Sequence, residues 1–390
     1  MGSISNYHLT LVALVVTLHL AISSHQNYPG TETRPILSDD EASKYQEENY
    51  FGDWEPEEII IPDEPDYIVK AGESIQESVN AAIKAGNSST RKYIKIEAGV
   101  YTETVYIAGD VPLTIYGGDS ASDVHIIQNI SANTHILDYM NLVNPEGARY
   151  QEGDPAWDIY RECGHKNGYI GTNCSAVFVV RSDQFQLMRI TVENGATDAQ
   201  AVAVKIDADK VHLMSSNFLG GQDTLFVGAN NKTEERVHVH MCYIEGDTDF
   251  IFGAASAVFN MCTVKVVGKR GKNTAIIFAP STPPDRSYGF LVIDSVITGD
   301  EVYLGSNKTS LARAWDAGVQ TAEDYVAGSS PNGQLVIRDS QIDAIIDVDQ
   351  PYTAAATSGR PFSTDIKTDR NLDDNVHNRL WEYNNYGDDA

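Results

Sequence analysis

Residues 211–218 (VHLMSSNF) and 237–244 (VHVHMCYI) share one pattern: alternating apolar positions, a short break, and a further apolar residue. Their starts are 26 residues apart, and the same pattern recurs elsewhere at intervals from 20 residues upward. The other runs lie at 185–192, 257–264, 289–296 and 334–342. A strand-like unit of this length cannot bury its own inner face, so stacking of successive units must supply the core. The spacing predicts an all-β protein with a parallel β-helix; a β-sandwich is the alternative, but sandwiches seldom repeat one pattern so often.

The segment before these runs has a different periodicity. Ile75, Val79, Ala82 and Ile83 lie at helical spacing, which predicts one short amphipathic helix near the N-terminus of the fold. Residues 93–97 and 113–116 then alternate as strands do. We therefore expect a short helix followed by a β-helix domain over residues 67–387.

The charge of the chain is strongly negative. Its 390 residues carry a formal net charge of −27, with a pI near 4.6, which argues against nucleic acid or an anionic membrane as a partner. Between residues 38 and 67 there are twelve acidic residues against one lysine, together with three prolines. This composition predicts an extended, partly disordered acidic arm over residues 24–66.

The N-terminus has the features of a secretory signal. Residues 9–22 form an apolar run that is short for a membrane span, and Ala21-Ile22-Ser23 fits a cleavage site. We predict a signal peptide over residues 1–23 and a secreted, extracellular protein.

Cysteines and sequons agree with that compartment. Four cysteines permit three pairings, and we favour the two local ones, Cys163–Cys174 and Cys242–Cys262, because short loops close most easily. A zinc site is disfavoured because neither Cys-x-x-Cys nor a histidine pairing accompanies them. Glycosylation is predicted at the asparagines of five sequons: Asn87, Asn129, Asn173, Asn231 and Asn307.

Two aspartates are candidate catalytic residues. Asp223 lies in GGQDTLF (220–226) and Asp249 in DFIFG (249–253), frames in which an unpaired charge would be costly. They are 26 residues apart, the interval between two units, so we expect them on adjacent rungs of one face, about 4.8 Å apart in backbone. A close pair can hold two protonation states and act as nucleophile and proton donor. Two solvated turn aspartates are the alternative.

Three further side chains could complete such a site. Gln200, which begins the run 200–204 one coil earlier, could donate to an oxyanion, although glutamine ladders are also structural devices in stacked sheets. Arg313 could hold a carboxylate ionised, and Trp315 offers a flat platform for a sugar ring. A surface arginine stacked on tryptophan is the alternative interpretation. A basic stretch at residues 265–272 is interpreted as a solvated turn.

The chain resembles the pectin methylesterases, or pectinesterases, of carbohydrate esterase family 8. The resemblance spans about residues 65–387 and depends on motifs in a fixed order, of which Gln-Asp-Thr-Leu followed by Asp-Phe-Ile-Phe-Gly is highly specific. The matching segments are 99–103, 200–204, 221–225, 249–253, 313–315 and 378–385. The resemblance implies a right-handed parallel β-helix and hydrolysis of the methyl esters of pectin, with no metal or organic cofactor, and we expect a monomer.

The resemblance also implies roles by motif. Asp249 would be the nucleophile and Asp223 the general acid and then base. Gln222 and Gln200 would stabilise the oxyanion, and Arg313 would orient Asp249. The substrate-binding residues would be Gln200, Arg313, Trp315, Phe252 and Phe226, and related members imply a Cys242–Cys262 disulfide.

The chain departs from the family pattern at three places in the site. Residues 306–312 separate Leu304-Gly305 from Arg313, Ala314 replaces the usual proline, and Gly221 stands where an aromatic residue is usual. Three other functions compete with ester hydrolysis of pectin. They are a catalytically inactive carbohydrate-binding β-helix, a pectin or pectate lyase, and an acyl-CoA thioesterase.

Overall fold

The computed structural model describes residues 28–229 and 234–390. The predicted signal peptide and Asn231 lie outside these residues. In the described part, strands of three parallel sheets alternate along the chain, so that each complete turn of the solenoid contributes one strand to each sheet and the terminal turns are incomplete. The architecture is a right-handed parallel β-helix, as predicted. No described helix combines the length and the apolar character needed to cross a membrane.

Sheet 1 is the longest sheet. Its strands, in order of pairing, are β1 (Tyr67–Val69), β2 (Lys92–Ile96), β5 (Leu113–Tyr116), β8 (Gln186–Met188), β11 (Val211–Met214), β14 (Arg236–His240), β17 (Ser256–Asn260), β20 (Phe290–Ile293), β23 (Gln334–Arg338) and β25 (Arg379–Tyr383).

The other two sheets complete each turn. Sheet 2 contains β4 (Val105–Ile107), β7 (Phe178–Val180), β10 (Val204–Ile206), β13 (Leu225–Val227), β16 (Thr248–Gly253), β19 (Ala275–Pro280) and β22 (Thr309–Ala312). Sheet 3 contains β3 (Gly99–Tyr101), β6 (Val124–Gln128), β9 (Thr191–Asn194), β12 (Asn217–Leu219), β15 (Tyr243–Gly246), β18 (Thr263–Val266), β21 (Val296–Gly299) and β24 (Gln341–Ile342).

The repeat spacing sets the register of the sheets. Val211 pairs with Val237, 26 residues on, and Val237 pairs with Ala257, 20 residues on, in agreement with the predicted units. Alternate side chains such as Leu213 and Val239 point into the solenoid and are fully buried in its core. The core is therefore a stack of identical inward positions, continuous along the solenoid.

Each predicted run contains two strands and not one. In the run 211–218, β11 ends at Met214 and β12 begins at Asn217, and Ser215 between them has φ +49°. Met241, Met261, Asp294 and Asp339 have the same left-handed backbone in the later runs. A single left-handed residue turns the chain sharply, so the second half of each run belongs to sheet 3.

Five α-helices lie among the described residues. They are α1 (Asp39–Ala42), α2 (Glu47–Phe51), α3 (Ile75–Ala85), α4 (Ile136–Val143) and α5 (Trp157–Gly164). The predicted N-terminal helix corresponds to α3, which begins at an N-cap in which Ser74 Oγ accepts from the backbone N–H of Glu77. Helices α4 and α5 were not predicted; they belong to the long excursion between β6 and β7.

The prediction of an extended, partly disordered acidic arm is wrong for residues 28–54, whereas residues 55–66 contain neither helix nor strand. The arm forms α1 and α2 and buries Leu37, Tyr50 and Phe51 against sheet 1. Its backbone is also held: Ser256 Oγ donates to Tyr50 O across 2.7 Å. The apolar and aromatic side chains between the acids supply enough buried surface to order the segment. Residues 67 and 387 as the bounds of a domain remain a prediction.

One of the two predicted disulfides is present. Cys163, at the end of α5, is bonded to Cys174, as predicted. Cys242 and Cys262 are free and buried, so the predicted Cys242–Cys262 bond is wrong for this structure.

The free thiols occupy positions that serine fills on neighbouring rungs. Cys242 and Cys262 follow the left-handed corner residues, as Ser216, Ser295 and Ser340 do. Each Sγ donates to the carbonyl two residues earlier, as the Ser295 hydroxyl does. The two thiols are therefore in-register equivalents, and each bonds to backbone carbonyls.

Candidate active site

The two aspartates lie on adjacent rungs of sheet 2, where β13 and β16 begin. Leu225 of β13 pairs with Ile251 of β16, so the residues two positions earlier, Asp223 and Asp249, are structural equivalents. The backbone N–H of Asp223 donates to Thr248 O across 3.1 Å. The prediction that one coil separates the acids is confirmed. Each is only 8% exposed, so they do not behave as solvated turn residues.

The backbone at both acids is unusual. Asp223 has φ +67° and Asp249 has φ +47°, in the left-handed region that residues other than glycine adopt infrequently. The pairing of β16 with β19 is also irregular, because its register shifts between Thr248 and Ile251. Such bulges turn a side chain away from its regular direction. Here the shift falls at Asp249, whose side chain faces the cleft.

Asp249 is held by an arginine from a later rung. Arg313 Nε and Nη2 donate to the two carboxylate oxygens of Asp249 across 2.8 and 2.5 Å. Arg313 directly follows β22, and its own N–H donates to Phe278 O of β19. The insertion that separates it from Leu304-Gly305 therefore contains a regular strand, which delivers the guanidinium to the site. A bidentate pair of this kind favours the ionised carboxylate and fixes its direction.

The environment of Asp223 disfavours the charged form of its carboxyl group. Its burial, and next the charge of the Asp249 carboxylate, raise the pKa of Asp223 well above its usual range. The two acids therefore differ as a catalytic pair must: Asp249 is paired with a guanidinium, and Asp223 is disposed to keep its proton.

Gln222 is oriented by a residue that the sequence did not identify. Arg270 Nη1 donates to Gln222 Oε1 across 3.0 Å, and Arg270 Nε lies 3.1 Å from the buried carboxylate of Asp247. The side chain of Arg270 is only 5% exposed, so its interpretation as part of a solvated turn is wrong. A Cβ on Gly221 would lie 2.6 Å from Arg270 Cδ, so the missing aromatic residue makes room for this arginine.

Gln200 lies one coil before Gln222. The N–H of the next residue, Ala201, donates to Gln222 O, and both glutamines line the same cleft as the aspartates. The structure thus brings together all five side chains predicted to be catalytic.

An aromatic group forms the floor beside the acids. Phe226 and Phe252, on paired strands, stack with ring centroids 4.4 Å apart. Trp315 meets both edge-on, at 5.9 and 5.6 Å. All three residues predicted to bind substrate through aromatic surface are therefore in contact.

The cleft over this floor has a volume of about 560 Å³. Its walls include Thr172 and Asn173 from the excursion after β6 and Ala356 and Thr357 from a C-terminal loop. No local motif identified these wall residues, because loops far apart in sequence converge on the site. Within the described ranges, the acidic and histidine side chains close enough to share a metal are Asp365, Asp374 and His377, and none of them lines this cleft.

The four sequon asparagines that the structure describes, Asn87, Asn129, Asn173 and Asn307, are exposed. This exposure permits the predicted glycosylation. Asn173 differs from the others in position, because a glycan there would lie at the cleft wall.

A solenoid that presents a desolvated carboxylate pair, an arginine and two amides along one face defines an ester hydrolase of the β-helix class. Comparison with known proteins agrees. The family model described as Pectinesterase matches residues 161–323. A Pectinesterase of Sitophilus oryzae is 44% identical over 386 residues, covering 97% of this chain and 100% of the relative.

Two further comparisons cover nearly the whole chain. The solved structure of rice weevil pectin methyl esterase superposes with a TM-score of 0.89 at 45% identity, covering 94% of this chain and 100% of that one. The putative acyl-CoA thioester hydrolase YbhC of Escherichia coli is 35% identical over 418 residues, covering 98% of this chain and 94% of the relative. The chain belongs to the pectinesterase family.

Proposed function

We propose that this protein hydrolyses the methyl esters of pectin, releasing methanol and de-esterified homogalacturonan through a covalent aspartyl intermediate. The observation that carries the proposal is the asymmetry of the pair: Asp249 holds a bidentate arginine, and burial beside Asp249 favours a proton on Asp223. One acid is thereby suited to attack and the other to donate a proton.

In the first half-reaction, an ionised oxygen of Asp249 attacks the ester carbonyl carbon. The carbonyl oxygen becomes an oxyanion, which accepts hydrogen bonds from the amide N–H groups of Gln222 and Gln200. When the tetrahedral intermediate collapses, the bond to the methoxy oxygen breaks. Asp223 gives its proton to that oxygen, methanol leaves, and the acyl group remains on Asp249 as an anhydride.

In the second half-reaction, Asp223 is ionised and takes a proton from a water molecule. The resulting hydroxide adds to the acyl carbon, and the bond to Asp249 breaks. The product leaves with a free carboxyl group, Asp249 regains its charge, and Asp223 regains its proton. The cycle balances without an external acid, base or cofactor.

The aromatic floor supports a carbohydrate ester as substrate. Phe226, Phe252 and Trp315 present ring faces and edges next to the pair, a surface suited to a sugar ring and a methyl group. Family membership favours pectin over other esters. The likeness to YbhC keeps thioesters as the second candidate, so the assay includes one.

The test compares three isosteric variants: Asp249→Asn, Asp223→Asn and Asp294→Asn. Asp294 also has a left-handed backbone, φ +50°, but lies at a corner between sheets 1 and 3, outside the cleft. Methanol release from highly esterified pectin should fall at least about a thousandfold in the first two variants, since they remove the nucleophile or the acid. The Asp294 variant should retain wild-type activity.

The competing functions give different results in the same assay. Wild-type protein that binds pectin without releasing methanol is an inactive binder, and an ultraviolet-absorbing unsaturated product identifies a lyase. Faster hydrolysis of an acyl-CoA thioester than of pectin would reassign the substrate.

We further propose that the protein acts outside the cell as a glycosylated monomer that modifies cell-wall pectin. The Cys163–Cys174 disulfide supports an oxidising compartment. Secretion of the full chain into culture medium, with a mass that falls on deglycosylation, would test this part of the proposal.

A further inference from the structure

A buried ion pair lies directly behind the cleft. Asp316, which is fully buried, follows Trp315 of the aromatic floor in the chain. Its two carboxylate oxygens accept hydrogen bonds from Arg360 Nε and Nη2, each across 3.0 Å. Arg360 is itself only 8% exposed. Neither Asp316 nor Arg360 lines the cleft, so the pair has no direct part in the proposed reaction.

The pair joins the aromatic floor to the cleft wall that the C-terminal loop forms. Ser358 Oγ donates to Asp316 Oδ2 across 2.7 Å and accepts from the backbone N–H of Arg360 across 3.0 Å. Ser358 is buried, but the residue before it, Thr357, is exposed in the cleft. The two residues that meet here, Asp316 and Ser358, are therefore the chain neighbours of two cleft residues, Trp315 and Thr357.

The backbone of both segments is fixed at or before the cleft residues. The N–H of Trp315 donates to Pro280 O of β19 across 2.8 Å, and the N–H of Ala356 donates to Ala314 O across 2.8 Å. The buried ion pair supplies a side-chain anchor that follows the cleft residue in each segment. Both cleft residues are thus held from two sides.

The guanidinium of Arg360 is itself held in one orientation. Nη2 also donates to Oδ1 of Asn332, which is fully buried, across 3.1 Å. The central carbon of the guanidinium lies 3.9 Å from the centre of the Tyr325 ring. Asn332 is anchored in turn, because its Nδ2 donates to the backbone carbonyls of Asp374 and His377. The arginine is therefore a fixed support for whatever it contacts.

Stability alone does not account for such a pair. Apolar residues of similar volume often replace a buried ion pair without loss of stability, because the desolvation of two charges offsets their attraction. A forked guanidinium does what an apolar side chain cannot: it fixes both carboxylate oxygens in direction. The property that the pair adds is the relative position of the segments that it joins.

We propose that Asp316 and Arg360 are positioning residues, which hold Trp315 and Thr357 in fixed relative positions and so set the affinity of the cleft for a polysaccharide ester. The inference rests on the proposed function. A sugar ring makes the same contact with this surface in the ground state and in the transition state, so the pair contributes to uniform binding. Arg313 is anchored separately, through its N–H to β19. Loss of the pair should therefore raise KM and spare kcat.

Steady-state methanol release from highly esterified pectin tests this role. The principal variant, Arg360→Lys, keeps a charge beside the buried Asp316 but loses the fork. The second variant, Ser358→Ala, removes one hydroxyl and leaves the ion pair. The matched control is Arg338→Lys: Arg338 is 9% exposed and its guanidinium lies over the Tyr383 ring at 5.1 Å, but it is on β23 of sheet 1 and bonds to the arm.

Arg360→Lys should raise KM about fivefold or more and Ser358→Ala about threefold, with kcat within about twofold of wild type in both. Arg338→Lys should leave both constants within about twofold of wild type. Thermal unfolding shows which variants are folded. A partly unfolded preparation would lower the apparent kcat and leave KM unchanged, which is the reverse of a positional effect. Ser358→Ala keeps the comparison valid where Arg360→Lys does not fold.

A second readout needs no substrate. The fluorescence of Trp315 is isolated as the difference between each protein and the same protein carrying Trp315→Phe. Acrylamide should quench this component more readily in Arg360→Lys than in wild type, because an indole ring that is no longer held meets the quencher more often. In Arg338→Lys the quenching should equal that of wild type.

Three results would overturn the positioning role: an unchanged KM in the folded variants, equal rises of KM in Arg360→Lys and Arg338→Lys, or unchanged quenching of Trp315 in Arg360→Lys. Failure of the proposed function is a separate result, since it is read from the absence of methanol release by the unaltered protein. In that case the quenching comparison alone decides whether the pair positions Trp315.

Discussion

Arg270 donates through Nη1 to Oε1 of Gln222, and this contact determines which end of the amide faces the substrate. A guanidinium has donors only, so the amide must turn its oxygen toward Arg270 and its NH₂ group away. The NH₂ group is the end that an oxyanion requires. Asp247, fully buried, holds the arginine in turn.

Arg270→Lys should lower kcat for pectin about tenfold and leave KM nearly unchanged. Lysine retains a charge for Asp247 but lacks the fork that reaches Gln222, so the amide can rotate and its help in the transition state is weakened. Steady-state methanol release measures both constants. Lys269→Met, next in the chain and paired with Glu245, is the matched control and should be neutral.

The positioning role is distinguished from a structural one by a double variant. In a Gln222→Ala background, Arg270→Lys should have almost no further effect on kcat, since there is no amide to orient. A second, independent tenfold loss in that background would show that Arg270 acts by another route.

Asp223→Asn should make the protein more stable than wild type, increasingly so as the pH rises above about 4. The folded pKa of Asp223 is raised by burial and by Asp249, so the folded state keeps a proton that the unfolded chain releases. Below the pKa that Asp223 has in the unfolded chain, its full contribution to the free energy of unfolding is present. As the pH rises from there through the pKa of the folded state, this contribution is lost by about 1.4 kcal/mol per pH unit.

Chemical denaturation of wild type and Asp223→Asn at several pH values would measure how the free energy of unfolding of each changes with pH. The wild-type kcat should decline over the pH range in which the slope flattens, because Asp223 is then ionised and no longer a general acid. If the free energies of unfolding of wild type and Asp223→Asn changed with pH in parallel, the raised pKa of Asp223 in the folded protein would be contradicted.

Acid should loosen the contact between the arm and sheet 1. Burial lowers the pKa of His212 to about 4, and burial together with its histidine neighbours lowers that of His238 to about 3. The rings of His238 and Phe51 of α2 are 5.3 Å apart. As the pH falls from about 6.5 toward those values, the unfolded chain takes up protons that the folded one refuses, so stability declines.

His238→Gln should reduce that decline by about 1.4 kcal/mol per pH unit between pH 4 and 6. Denaturant titrations at several pH values measure it, and His165→Gln on the exposed end of α5 is the control. An unchanged slope in His238→Gln would place the acid sensitivity elsewhere.

Substitution of the free cysteines and of the disulfide-bonded cysteines should have different effects on the free energy of unfolding. Cys242→Ser should change the free energy of unfolding by less than about 1 kcal/mol, because serine makes the same bond on neighbouring rungs. Cys163→Ser should cost about 3 kcal/mol, through loss of a cross-link that closes a short loop. Thiol labelling of unreduced, denatured protein should count two free thiols; a count of zero would show that Cys242 and Cys262 are bonded.

The periodicity of the sequence predicts those features of the fold and the site that depend on regular spacing. The interval from Asp223 to Asp249 equals one coil, so strand register alone brings the two acids together, and the same reasoning placed Gln200 near Gln222. The helical spacing around Ile75 and Val79 was equally direct. These features follow from contacts between neighbouring coils, which a repeat specifies locally.

The sequence did not predict, or predicted wrongly, the features that depend on contacts between residues at irregular spacing. Gly221 marked an empty place where an aromatic residue is usual, but the side chain that fills it, Arg270, comes from a turn 49 residues later. The charge of the acidic arm indicates disorder, although its aromatic residues determine how it packs. The corner residues such as Met241 have no composition signal, because the left-handed backbone is imposed by the stack.

The folding of the arm onto the solenoid also neutralises charge. Three acids of residues 38–67 form ion pairs with bases outside the arm: Glu41 with Arg370, Asp53 with Arg236 and Asp66 with Lys92. The arm is therefore an electrostatic partner of the solenoid as well as an apolar one, and a solenoid without the arm would lose a counter-charge at each of these bases.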